Sequence, residues 1–276
     1  MITASIVFYN TSLDEVRAVL DCLENSPVDT VYVIDHSDTD KLKNISESFS
    51  KVRYEIHPNG GYGKGHNHGI RKALDINTDY HIIINPDIYW KGDVVERLRD
   101  FMDAHPDCGL VMPKVLFPNG EIQYLCKLLP TPMDLIGRRF IPLKNYTRRH
   151  NERYELRWSG YDRVMEVPSL SGCFMFIRGD VLRKTGGFDE RFFLYAEDMD
   201  LCRRIGEVSL TVFNPEVTIY HAYHQDSYKN FKHLKMHINS VIKYFNKWGW
   251  LFDRKRKEKN RRCIERLRDI SRKSED

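Results

Sequence analysis

ITASIVFYNTSLDEVRAVLDCLENSPVDTVYVIDHS, residues 2 to 37, contains one full strand, helix, strand unit, and its reading sets the fold. The run from Ile2 to Tyr9 is rich in strand formers and closes on Asn10. Leu13, Val16, Val19, Leu20 and Leu23 then recur at helical spacing, and a second strand run follows, ending in Asp35 and Ser37. Outward from this unit the pattern repeats: a polar helix-like stretch over 39 to 49, the strand run VRYEIH, a glycine-rich loop, a helix to Leu74, the strand HIII, the loop NPD, a helix to His105 and the strand LVMPKV. Strands alternating with helices at this spacing predict a mainly parallel sheet flanked by helices. Ligands of such sheets bind beyond the carboxyl ends of the strands, where Asn10, Asp35, Asn59 and Asp87 are predicted to lie.

After residue 116 the alternation stops. FPNGEIQYL reads as a hairpin through Pro118, Asn119 and Gly120, and residues 127 to 165 read as a long irregular excursion with Pro130, Pro132 and Pro142 among many cations. VPSLSGCFMFIRGDVL predicts a small-residue turn, a buried strand and a short helix from about Asp180. VSLTVFNPEVTIYH predicts two strands ending at His221, with His224 close by. Beyond it, Phe231, Leu234, Ile238, Val241, Ile242, Phe245 and Trp248 form one apolar stripe at helical spacing.

Composition narrows the class. With 276 residues and 41% apolar content the chain is globular, and no run approaches the roughly 18 apolar residues of a membrane span. With no basic leader, the expected location is the cytoplasm. Six scattered cysteines without a CxxC pair read as reduced, mostly buried side chains. The net charge of +4 is unevenly placed: residues 229 to 276 hold 16 Lys and Arg against 6 Asp and Glu, a net of +10, which leaves about −6 for the first 228 residues. A cationic tail suits an anionic partner or a solvated helix face. No platform of aromatics accompanies the charge, which argues against nucleic acid. The thin apolar row Ile264, Leu267 and Ile270 among the cations of residues 254 to 273 reads as membrane-surface material.

Three segments carry candidate chemistry. In GGFDERFFLYAEDMDLCRR, residues 186 to 204, two glycines permit a tight turn, an aromatic run follows, and Glu197, Asp198 and Asp200 come next. Near a helix start these acids can cap the free N–H groups; beside aromatic walls, one of them can act as a general base. Asn85-Pro86-Asp87 presents a carboxylate at the sheet rim, suited to a turn or to Mg²⁺ or Mn²⁺. NGGYGKGHNHGI, residues 59 to 70, lets backbone approach a ligand closely. It is no Walker A loop, because Gly65 follows Lys64 where Ser or Thr is required. Gly63, Gly65 and Gly69 form a loosened dinucleotide fingerprint, in the wrong place after a third strand.

Taken together and in this order, NGGYGKGHNHGI, IIINPDI and GGFDERFFLYAEDMDLCRR resemble the NxGFGxGNNxGI loop, the modified DxD segment and the GGFDExFFxYxEDxDLxxR segment of bacterial family 2 glycosyltransferases, particularly the rhamnosyltransferase-like branch. The resemblance covers residues 1 to about 225 and extends more softly to HLKMHINSVIKYFNKWGWLFD. It implies an α/β GT-A fold: a Rossmann-like, mixed, mainly parallel sheet, with a glycosyltransferase domain over 1–228 (a nucleotide-sugar half, 1–116, and an acceptor and catalytic half, 117–228) and a basic helical extension over 229–276. It further implies a nucleotide-sugar donor, a divalent cation, Mg²⁺ or Mn²⁺, and inversion at the anomeric carbon. Carried onto this sequence, Asp198 is the base. Asp87 and His221 hold the metal, with His224 as the alternative histidine. Tyr9, Asn10, Asp35, Ser37, Asn59, Gly61, Gly63, Lys64, Asn67 and Asn85 surround the donor, and Tyr195, Glu197 and Asp200 face the acceptor or hold the turn. Asn85 stands where a full DxD has its first aspartate, so metal affinity is expected to be modest.

The function expected from this resemblance is transfer of a sugar, rhamnose from dTDP-rhamnose first, to a saccharide carried on a polyprenyl diphosphate. It would occur at the inner face of a membrane reached by the cationic extension, during O-antigen or capsule synthesis. A UDP-hexose or galactofuranose donor is the alternative within the fold. A sugar-nucleotide pyrophosphorylase needs a basic glycine-rich loop after the first strand, where this chain has FYNTSLDE. A non-catalytic glycan-binding scaffold would bind neither UDP nor dTDP.

Overall fold

The computed structural model describes residues 1–137, 144–222 and 231–273. The predicted alternation is present: β1 (Ile2–Phe8), α1 (Leu13–Glu24), β2 (Thr30–Asp35), α2 (Lys43–Glu47), β3 (Val52–Ile56), α3 (Tyr62–Asp75), β4 (Tyr80–Ile84), β5 (Ile88–Tyr89), α4 (Val94–Ala104) and β6 (Cys108–Leu116). A π-helical turn (Met133–Gly137), α5 (Lys144–Tyr154), β7 (Met165–Glu166), β8 (Phe174–Arg178), α6 (Gly179–Thr185), α7 (Glu197–Ile205), β9 (Leu210–His221), α8 (Phe231–Trp248) and α9 (Arg254–Lys273) complete the described elements. α1 starts where the sequence says it should. Ser12 and Glu15 form a reciprocal capping box, and Val16, Val19, Leu20 and Leu23 face inward.

The described strands form one sheet in the order β3-β2-β1-β4-β8-β6-β9-β5, with β7 also on β9. β1 to β4 run parallel, whereas β8 lies antiparallel between β4 and β6. The two halves therefore share a single sheet. Its faces carry separate cores, because neighbouring side chains on a strand point to opposite sides. Ile82 and Ile84 of β4 pack with α1 and α4, and Ile83 packs with α6, α7 and the residues of the excursion.

Three sequence expectations change. First, the glycine-rich segment is helix: α3 begins at Tyr62, so Gly63, Gly65 and Gly69 lie within it. Glycine lowers helix propensity, but here it lets α3 sit directly on the sheet. A Cβ at Gly65 would meet Val7 and His36, and one at Gly69 would lie 2.7 Å from Ser5 Cβ. Beneath α3, Ser5 Oγ bonds His66 Nδ1 at 2.8 Å and His81 Nε2 at 2.9 Å, which pairs three of the polar atoms that the close approach buries. Second, VSLTVFNPEVTIYH is one long strand, β9. The Asn214-Pro215 step shifts its register against β6 without ending it, since Pro113 pairs with Asn214 and Lys114 with Thr218. Third, the excursion is packed: Leu128, Leu129, Tyr154, Leu156 and Tyr161 are buried, and the Tyr161 hydroxyl bonds Cys126 and Glu155 backbone.

The C-terminal helices also dock on the body. Val241, Tyr244 and Phe245 of α8 pack on Phe192 and Ala196, while Ile238 and Ile242 of the expected stripe stay exposed. In α9, Cys263 and Leu267 enter the second core, and Ile264 packs against it. Part of the apolar row that the sequence offered to a membrane is thus committed inward. No helix of the described residues is long and apolar enough to cross a membrane.

Replacing Gly69 by Ala tests the close packing of α3. Helix propensity alone would stabilise the protein by about 1 kcal/mol. Because the new methyl meets Ser5 and Tyr32, a net loss of about 1–2 kcal/mol in urea denaturation is expected; a gain would contradict the packing.

Candidate active site

The carboxyl ends of β1 and β2 form one polar rim. Asp35 is fully buried, and its Oδ1 accepts from the Ser37 backbone N–H at 2.8 Å while Oδ2 accepts from the Tyr54 hydroxyl at 2.5 Å. Ser37 Oγ in turn accepts from the Asn10 N–H at 2.9 Å, with Asn10 in the left-handed region, and Tyr9 is half exposed beside it. The structure thus brings Tyr9, Asn10, Asp35 and Ser37 together, with Asp35 fully buried beneath the loop. Tyr54 was not singled out from the sequence, since nothing in VRYEIH marks one aromatic as a partner for a carboxylate 19 residues earlier. His57 and His68 stack on the same edge with ring centroids 3.9 Å apart. Burial, foremost among its surroundings, lowers the pKa of His36 and keeps it neutral.

The next group makes contacts within the protein itself. Asn67 is buried. Its Nδ2 donates to the Phe188 carbonyl and Glu190 Oε1, both at 2.9 Å, and its Oδ1 accepts from the Phe188 N–H at 2.8 Å. Gly187 must lack a Cβ because one would collide with Asn67 Oδ1. Gly61, at φ +95°, lies against the Phe193 carbonyl, which accepts the Tyr62 N–H, and Gly63 lies against the Phe188 side chain. Gly61, Gly63 and Asn67 therefore clamp the start of α3 to the GGFDERFF segment. Asn59, whose Oδ1 accepts the Gly61 N–H, and Lys64 remain exposed around the α3 N-terminus.

Asp87 and His221 meet because β5 pairs with β9, Ile88 opposite His221. Asp87 Oδ1 lies 3.2 Å from His221 Nε2, and Asn85 Nδ2 lies 3.5 Å from the same nitrogen. Gln123, which the sequence did not flag, settles the histidine tautomer. Its Nε2 donates to the His221 carbonyl at 2.9 Å, so its Oε1, 2.9 Å from Nδ1, must accept from Nδ1–H. In a neutral ring this tautomer turns the Nε2 lone pair toward the Asp87 carboxylate, an arrangement that suits a cation between them. Two neighbouring ligands of an octahedral ion lie about 3 Å apart, so these residues fit Mg²⁺ or Mn²⁺. Among the described residues no group of three or more His, Cys, Asp or Glu side chains forms a metal site; the remaining positions suit phosphate oxygens and water. His224 lies outside the described residues.

The three acids of α7 separate cleanly. Tyr195 and Ala196 both adopt left-handed backbone (φ +69° and +67°), so the chain turns abruptly into the helix. Asp198 is half-buried; its Oδ2 accepts from the Gly172 N–H at 3.1 Å and its Oδ1 from the Met199 N–H at 2.8 Å. The Tyr62 hydroxyl donates to the Gly172 carbonyl at 2.7 Å. Burial first, then nearby groups that include Glu197, Asp198 and Asp87, push that hydroxyl well up. Glu197 is buried, and burial followed by the charge on Asp198 holds its pKa well above the usual carboxylate range. Asp200 has no exposed surface: Arg204 Nε is 2.8 Å from Oδ2, and Lys247 Nζ and Trp248 Nε1 are 2.6 and 2.8 Å from Oδ1. Of its two expected roles, Asp200 holds the helix. Tyr195 is half-buried, its hydroxyl 3.3 Å from His233 Nδ1 of α8.

Two outcomes follow for this geometry. Changing Gln123 to Leu removes the tautomer lock and should weaken Mn²⁺ binding about 10–100-fold in calorimetric titration with nucleotide present; unchanged affinity would remove His221 from the metal site. Glu197, held neutral by the fold, loses stability as pH rises above the ordinary carboxylate range, because the unfolded chain then ionises while the folded chain cannot. Relative to wild type, Glu197→Gln should gain melting temperature from about pH 5 to about pH 8; parallel curves would contradict this.

Against known proteins, residues 3–183, more than half of the chain, match the model of Glycosyl transferase family 2. The chain is 27% identical over 247 residues to the N-acetylglucosaminyl-diphospho-decaprenol L-rhamnosyltransferase of Mycobacterium tuberculosis, covering 83% of this chain and 78% of that protein. It is 27% identical over 225 residues to the rhamnosyltransferase WbbL of Escherichia coli, covering 78% and 81%. Among solved structures, the mannosyltransferase PcManGT of Pyrobaculum calidifontis, in complex with GDP-Man and Mn²⁺, superposes with a TM-score of 0.56 at 16% identity over 88% of this chain. TarS 1-349 of S. aureus with UDP gives 0.56 at 15% identity over 87%. The chain spans 64% and 65% of those two structures, and the likeness bears out the GT-A fold. On the family match, the chain belongs to glycosyl transferase family 2 and is a glycosyltransferase.

Proposed function

We propose that the protein transfers a sugar from a nucleotide-sugar donor to a saccharide hydroxyl with inversion, rhamnose from a dTDP donor being the reading that the two rhamnosyltransferase relatives favour. The observation that carries this reading is that Asp198 is the one of the three α7 acids that is not buried, whereas Glu197 and Asp200 are. The Gly172 N–H fixes one oxygen of Asp198, so the carboxylate has a set direction. Asp198 takes the proton of the acceptor hydroxyl while that oxygen bonds to the anomeric carbon. The bond from that carbon to the donor phosphate oxygen breaks on the opposite side, and the electron pair leaves with the nucleoside diphosphate. A divalent cation held by Asp87 and His221 would offset the negative charge growing on that diphosphate. Glu197, neutral beside Asp198, adds no second charge to the pocket.

The decaprenol-diphosphate acceptor named for the mycobacterial relative supports a polyprenyl-diphosphate-linked saccharide here. The cationic extension supports a membrane surface as the place where the acceptor is met. Asp198→Asn should lower transfer about 10²–10⁴-fold with nucleotide affinity unchanged, and Glu197→Gln should retain most activity. Full transfer by Asp198→Asn would remove it from the base role, and a screen of dTDP- and UDP-sugars reads out the donor.

A further inference from the structure

The turn between α8 and α9 carries three consecutive large apolar residues, Trp250, Leu251 and Phe252, at 38%, 68% and 93% exposure. Such a run in water is unusual for a folded surface. It is also held firmly in place. Gly249, at φ +98°, ends α8, and the Trp250 ring lies 5.2 Å from Phe245 with its Nε1 bonded to Asn246. Directly after the run, Asp253 accepts both arms of Arg203 at 2.6 and 2.9 Å and caps α9 through the Arg256 N–H. The Arg256 guanidinium reaches back to the Leu251 and Pro130 carbonyls.

The basic run RKRK follows at residues 254–257. Arg254 and Lys257 are exposed, and neither is paired with a carboxylate among the described residues. Aromatic and aliphatic tips next to cations match the interfacial layer of an anionic bilayer, where rings settle at headgroup depth and cations meet lipid phosphates. Since Cys263 and Leu267 turn inward, this turn is the most exposed run of consecutive large apolar residues that the described part of the cationic extension presents.

We infer that Trp250, Leu251 and Phe252 form a wedge that inserts into an anionic membrane surface. The inference rests on the lipid-linked acceptor proposed above and says how the enzyme meets it. The Arg203–Asp253 ion pair joins the wedge to α7, and Arg203 is five residues from Asp198, about 7.5 Å along the helix. Insertion therefore sets the base at a fixed height above the lipid headgroups.

Flotation of the full chain with vesicles of phosphatidylcholine, alone or with about 30% phosphatidylglycerol, tests this without any acceptor present. Wild type should float with the anionic vesicles, more weakly at high salt. Leu251→Ser/Phe252→Ser should lower partition at least about tenfold. Arg254→Gln/Lys257→Gln should lose the preference for phosphatidylglycerol. Transfer to a water-soluble acceptor, assayed in parallel, should be unchanged by the Leu251→Ser/Phe252→Ser variant. Equal flotation of wild type and that variant, or a self-association that it abolishes in place of lipid binding, would overturn the wedge. Flotation lost in the variant while neither protein transfers sugar would support the wedge and count against the acceptor reading.

Discussion

A fully buried carboxylate, Asp200, is the constraint on which the site depends. A charge without access to water is tolerated only when it is completely paired, and removing one partner of such a pair costs about 3–5 kcal/mol. Arg204 comes from the same helix, while Lys247 and Trp248 come from α8. Arg204 also donates to the Thr185 and Gly187 carbonyls at 2.7 Å, tying in the turn before the aromatic run. α7 is thereby fixed along its length, and the left-handed Tyr195 and Ala196 that precede it, worth about 1–3 kcal/mol of strain each, are held in place. The direction of Asp198 follows from this anchoring.

The motifs divide into parts that hold the fold and parts to which the proposed mechanism gives the chemistry. Asn67 with Gly61, Gly63 and Gly187 locks α3 to the aromatic segment. Asp87, His221 and Asp198 are each held by a neighbour, respectively the β5–β9 pairing, Gln123 and Gly172. In the proposed mechanism each group that acts thus has a partner that sets its orientation, as preorganised chemistry requires.

The alternation of β1 to β6 with helices was legible because each strand is a continuous apolar run bounded by turn residues. The glycines of α3 misled because local propensity speaks for a loop, whereas the gain comes from contacts with Val7, Ser5 and Phe188, far away in sequence. Pro215 suggested a break in β9 that the sheet absorbs as a register shift. Asp87, His221 and Asp198 can be singled out by motif. Gln123 and Tyr54 cannot, since their roles arise from pairings across 98 and 19 residues. The fate of Asp200 likewise depends on Lys247 and Trp248, and that of the α9 apolar row on a core that only the fold assembles.

The account rests on one open carboxylate that accepts a proton while the acceptor oxygen displaces the nucleoside diphosphate directly. A single displacement reverses the configuration at the anomeric carbon. Determining the anomeric configuration of the new glycosidic bond by NMR, against that of the donor, is the most direct test. Inversion is the predicted result; retention would require an enzyme nucleophile on the opposite face and would contradict the account.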